Sequence, residues 1–147
     1  MKPILKLTII TASLALALFP AKAEEDHAHD HGHAHGTVTL PATLPDLWAA
    51  IEKEKGVLEK AVVSQDADGT HDAVDTLTAY AKALPEQAGS LDDAAKKRIE
   101  GQSKNLLRIL DNLHHATEGP DWAKAQAELP KLAGVLKLLG TQIPPKN

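Results

Sequence analysis

Between Leu44 and Leu139, apolar residues recur at spacings of three and four in four separate blocks, and this periodicity constrains the fold more than any other feature of the chain. The first block carries Leu44, Leu47, Trp48, Ile51, Leu58 and Val62, with Pro45 and Asp46 where a helix N-terminus favours them. Gln65 to Gly69 interrupts the pattern, which leaves Asp68 in a loop. The second block runs from about Thr70 to Leu84, with Val74, Leu77, Ala81 and Leu84 on one face and Pro85 near its end. After the turn signal Gly89-Ser90, the third block, from about Leu91 to Thr117, shows Ala95, Ile99, Leu106, Leu110 and Leu113, and Gly119-Pro120 ends it. The fourth starts at Asp121 and carries Trp122, Ala125, Leu129, Leu132, Val135, Leu136 and Leu139 up to Gly140. Pro130 inside it predicts a kink or short break, because proline removes a helical N–H.

Each apolar stripe must find a partner, and short connections force neighbouring helices to run antiparallel. The expected fold is all-α, an antiparallel up-down-up-down four-helix bundle over residues 46–147. In that topology the end of the first helix, the start of the second, the end of the third and the start of the fourth share one end of the bundle. Trp48 and Trp122, at helix starts, read as packing anchors, and Lys96, Lys97 and Arg98 as a solvated face. The stripes leave no inward Glu in the middle of the first or fourth helix.

Upstream, residues 1–23 read as a secretory signal: Lys2 and Lys6 make a basic start, Leu7 to Phe19 an apolar middle, and Ala21-Lys22-Ala23 a small-x-small cleavage site. The apolar run is shorter than the ~20 residues a membrane-spanning helix needs, and no Cys follows to carry a lipid. The expected mature chain starts at Glu24 and is soluble in the periplasm, with no membrane partner. Cleavage removes Lys2, Lys6 and Lys22 and no acidic group, so the formal net charge moves from −4 to −7. That balance argues against a nucleic-acid partner, which calls for a basic patch.

The chain has no Cys, which excludes disulfides, thiolate metal sites, iron–sulfur clusters and covalently attached c-type haem. Its one Met is Met1, inside the signal. Any metal site in the mature chain is therefore built from His, Asp and Glu.

From Glu24 to Gly36 the sequence is acidic and His-rich without a large apolar residue, the composition of a disordered head. Residues 37–45, with two prolines among apolar residues and Thr, read as an extended connector. Within the head His27, His29, His31, His33 and His35 occupy every second position, separated only by Ala, Asp and Gly. In an extended chain a period of two places all five rings on one side. Imidazole suits zinc, copper and nickel, and small spacers let several rings converge on one ion. Asp26 and Asp30 add carboxylate oxygens.

The other three histidines fall where the bundle topology collects helix ends. His71 lies on the inner stripe at the start of the second helix, and His114 near the inner edge at the end of the third; His115 points further round. Asp68-x-x-His71 and Asp111-x-x-His114 pair each inward ring with a carboxylate that can fix its tautomer or join it as a ligand. Glu118 and Asp121 are close in sequence. His71 with His114 is the first choice for a folded metal site and His115 the second. A helix C-terminus also favours His on electrostatic grounds alone.

Asp66-Ala-Asp68-Gly69 fails as a calcium loop, since Gly falls at the fourth position and no Glu closes the loop at the twelfth. No His-Glu-x-x-His, Gly-x-Ser-x-Gly or phosphate-binding Gly-rich motif occurs, so the expectation is a protein that is not an enzyme.

In its signal, its His-x-His head, the Leu44-Pro45-Asp46-Leu47-Trp48 run and the Leu113-His114 segment leading to Gly119-Pro120-Asp121, the chain resembles small exported His-rich helical proteins that accompany heavy-metal resistance and efflux systems in Gram-negative bacteria. The resemblance implies a metal-homeostasis role and a metal efflux or sensor protein as partner. The architecture also looks like that of periplasmic four-helix haem-binding cytochromes, whose Cys-x-x-Cys-His attachment and Met ligand are missing here. The leading expectation is periplasmic binding, buffering or chaperoning of zinc, copper or nickel. Two others stand beside it: a helical module docking onto an efflux or sensor protein, and a cofactor protein with a dimetal centre or a haem between His71 and His114.

Overall fold

The computed structural model describes residues 38–145. The expected signal, the head with His27, His29, His31, His33 and His35, and Thr37 of the connector lie outside the described residues. Four α-helices follow one another: α1 (Leu44–Ser64), α2 (Ala67–Gln87), α3 (Asp93–Glu118) and α4 (Trp122–Gly140), with a 3-10 turn (Ala88–Ser90) between α2 and α3. The described residues contain no strand, and the all-α class read from the periodicity holds.

Side-chain caps explain where the helices begin. The hydroxyl of Thr43 accepts the Asp46 N–H at 3.2 Å and opens α1. Carboxylates of Asp66, Asp92 and Asp121 accept the N–H of Gly69, Ala95 and Lys124 at 3.0, 2.8 and 3.0 Å and open α2, α3 and α4. Each satisfies one of the N–H groups that a helix start leaves without a carbonyl partner. At the end of α1, Gln65 turns into the left-handed region with φ 59° and donates its N–H to the carbonyls of Ala61 and Val62. Asp66 follows at once, so only Gln65 and Asp66 separate two helices.

This corrects three expectations. The segment read as a break ending at Gly69 holds the first turn of α2, with Asp68 inside it, because the Asp66 cap starts the helix three residues before Thr70. Helix α2 also runs past Pro85 to Gln87. No break occurs at Pro130, and α4 is continuous through it. The carbonyl that Pro130 leaves without its helical donor belongs to Gln126, and both residues lie on the exposed side of α4.

The predicted stripes form the core. Leu47, Ile51, Leu58, Leu77, Leu84, Ile99, Leu106, Leu110, Leu113, Leu132, Leu136 and Leu139 are fully enclosed, each contributing roughly 1.5–3 kcal/mol of apolar burial. Trp48 and Trp122 are half-buried and pack on this cluster, as expected of anchors. The broad interfaces join α1 to α2, α2 to α3 and α3 to α4, and a smaller one joins α1 to α4. At that smaller interface the Trp48 ring lies against Gly140, where a Cβ would sit 2.9 Å from ring atom Cζ2; glycine permits the approach. Gln87 Nε2 donates to the Pro41 carbonyl at 2.7 Å and ties the connector to the end of α2. Arg98 Nε donates to Gln142 Oε1 at 2.7 Å, linking the start of α3 to the residues after α4.

The stripes misread one position. Glu128, in the middle of α4, is 5% exposed, whereas the apolar pattern leaves no inward Glu there. Its neighbour Leu129, on the predicted stripe, is only half-buried. No helix among the described residues is long and apolar enough to cross a membrane.

Candidate metal centre

The first turn of α2 and the last turn of α3 meet, and three histidines collect where they do. His71 reaches this point because the Asp66 cap starts α2 five residues earlier. His114 and His115 arrive one turn after the buried Leu110. The rings of His71 and His114 lie 4.9 Å apart between centroids, tilted by 38°. His115 stands edge-on to His114 at 5.8 Å and 71°. His71 and His114 are half-buried and His115 is exposed, as their stripe positions predict.

Glu118 faces two of these rings. Its Oε2 accepts a hydrogen bond from His115 Nδ1 at 3.0 Å, and its Oε1 lies 3.9 Å from His114 Nδ1. One ligand atom from each of His114, His115 and Glu118 falls within 4.8 Å of the others. Nitrogen and oxygen ligands at about 2.0–2.1 Å from a tetrahedral ion stand roughly 3.3 Å apart. The His115–Glu118 pair is near that spacing, and His114 Nδ1, at 3.9 Å from Glu118, stands about half an ångström beyond it. Helix geometry makes this possible, because residues three and four apart share a face.

His71 adds a group that needs a partner. Its Nε2 is buried and makes no hydrogen bond, a state that costs about 1–3 kcal/mol for a neutral polar atom. A ligand supplied from outside the chain removes that cost. The donors that converge are those of His114, His115 and Glu118, nitrogen and oxygen of the kind that zinc, copper and nickel take, and His71 stands beside His114 outside that group.

The carboxylates behave differently from the sequence pairing. Asp111 Oδ1 faces His115 Nε2 at 3.6 Å, not His114, because the i,i+4 step on this helix brings that pair together. Asp68 is exposed on the first turn of α2, and Asp121 is the N-cap of α4. Glu118, which the sequence placed only among nearby acidic groups, is the residue that bonds the His115 ring and faces that of His114. Its signal was present as His114-His115-x-x-Glu118, one helical turn of possible ligands.

Electrostatics favour charge on His115. The hydrogen bond to Glu118, and then the negative charge of Asp111, raise its pKa above the ordinary imidazole value of 6.5. A metal ion bound there competes with a well-held proton.

Comparison with known protein families, with curated proteins and with solved structures gives no match.

Proposed function

We propose that this is a metal-homeostasis protein that binds zinc, copper or nickel ions outside the cytoplasm, as a buffer or chaperone and without enzymatic activity. The observation that carries the reading is the buried, unpartnered Nε2 of His71 beside His114, with Glu118 drawing His114 and His115 together. Residues of α2 and α3 would hold one ion, and the five alternating histidines of the head would bind further ions more weakly.

The reading takes the chain to be exported, with the helices in an up-down-up-down bundle. Contacts between helix ends support that arrangement: the start of α2 meets the end of α3, the start of α3 meets the residues after α4, and the start of α1 meets the end of α4. The resemblance to exported His-rich proteins of metal resistance points the same way and suggests a metal efflux or sensor protein as the acceptor. A macrocycle between His71 and His114 is disfavoured, because their rings touch and leave no gap.

Calorimetric titration of zinc, copper and nickel into the mature protein, beside a version starting at Thr37, tests the proposal. The shorter version is expected to keep one site of micromolar or tighter affinity, about −8 kcal/mol or better, and His114→Ala to abolish it. If all binding is lost with the head, the helical domain is not a metalloprotein.

A further inference from the structure

Glu128 makes no contribution to the histidine centre, and its burial has no counterpart in the helix pattern. It sits in the middle of α4, 5% exposed. Lys131 Nζ donates to its Oε1 at 2.6 Å, while its Oε2 is buried and has no hydrogen-bond partner. A buried carboxylate oxygen requires a donor, and none comes from the neighbouring helices.

Glu128 is also part of the wall of a groove of about 360 Å³ between α3 and α4. Asn105, Arg108 and Asn112 line the α3 side, and Lys131 and Val135 line the α4 side with Glu128. Arg108 forms no ion pair among the described residues. The groove wall therefore holds a carboxylate whose second oxygen is short of a donor, two cations and, with Gln102, three side-chain amides beside an apolar surface. Its volume is at the small end of ligand sites.

We propose that this groove binds a small zwitterion, a free α-amino acid or a short peptide. The ligand's ammonium donates to Glu128 and its carboxylate lies against Arg108 and Lys131. The charges select this class. An amine alone meets two cations and one carboxylate and is repelled on balance, while an anion alone supplies no donor to Glu128 Oε2. A molecule carrying both groups satisfies each end with a charge-assisted hydrogen bond. Glu128 Oε2 is buried, so binding requires Lys131, whose side chain is 59% exposed, to swing from Glu128 toward the incoming carboxylate and leave the Glu128 carboxylate to the ammonium.

The test is an NMR titration of the ¹⁵N-labelled mature protein, freed of metal by chelation, with L-alanine, L-glutamate and dialanine as probes. Methylamine and acetate serve as single-charge controls. Saturable shifts along residues 102–112 and 128–138, with a Kd below about 1 mM for at least one zwitterion, are the expected result. Glu128→Gln, which keeps the shape, and Arg108→Ala, at an exposed position, should each weaken that binding by about tenfold or more. His71→Ala should leave it unchanged. Stronger binding of alanine than dialanine assigns the site to free amino acids, and the reverse to peptides. The proposal is overturned if no zwitterion gives a saturable shift up to about 20 mM, if neither groove substitution weakens binding, or if acetate binds as well as alanine.

Discussion

At the scale of single residues, His115 is the group whose chemistry is best defined. Its ring is held between Glu118 and Asp111 on its own helix, and both favour the imidazolium. A raised folded-state pKa means that the metal-free protein gains stability from this proton below about pH 6.5, the unfolded value. That gain is lost as pH rises through the folded pKa. Because the ring is 61% exposed, solvent screens the pair and the stability effect is small. The titration itself is the better readout. The midpoint of His115, followed by its ring proton resonances, is expected above 6.5 and should fall in Glu118→Gln, with a smaller fall in Asp111→Asn. A midpoint unmoved by Glu118→Gln would mean that the carboxylate does not hold the ring in solution. The histidines were legible in the sequence because an inner stripe and a helix end can be counted. The role of Glu118 was harder to read, since which of several acidic groups meets a ring depends on helix phase and rotamer.

At the scale of elements, the helices were legible because each has an apolar face and a capping residue, and the errors came where capping or packing overrode a local signal. Asp66 was read as part of a break, yet a single carboxylate accepting the Gly69 N–H is sufficient to start α2 there. Pro130 predicts a kink or short break; the break does not occur, because the loss of one hydrogen bond on the exposed side is outweighed by Leu132, Leu136 and Leu139 behind it. Glu128 was invisible to periodicity, which counts apolar residues and cannot see a carboxylate that buries itself beside a lysine. The α1–α2 corner carries the one strained backbone position among the described residues, Gln65 at φ 59°. Glycine adopts this conformation without the Cβ clash that costs other residues about 1 kcal/mol or more. Gln65→Gly is therefore expected to raise the free energy of unfolding by about 0.5–1 kcal/mol in urea denaturation, with no change in slope. A destabilised variant would show that the Gln65 side chain supplies more than the turn costs.

At the scale of the whole molecule, the histidine centre and the described part of the connector lie far apart. Gln87, which holds Pro41 of the connector, is about 24 Å along α2 from His71 at 1.5 Å per residue. Thermal unfolding separates the two proposed binding elements without truncating the protein. An ion bound only by the folded chain stabilises it by about 2.7 kcal/mol at a hundredfold excess over Kd. For a domain of this size that raises Tm by roughly 10–20 °C. Histidines that bind equally in the folded and unfolded chain contribute nothing to this shift, so the head cancels and the centre alone is read. Because the proposed ion links α2 to α3, His71→Ala should remove most of the rise even though it leaves His114, His115 and Glu118 in place on one helix. Chelation should return the wild-type protein to its metal-free Tm. Calorimetric binding with no rise in Tm would assign the affinity to the head and leave α2 and α3 held by their apolar faces alone.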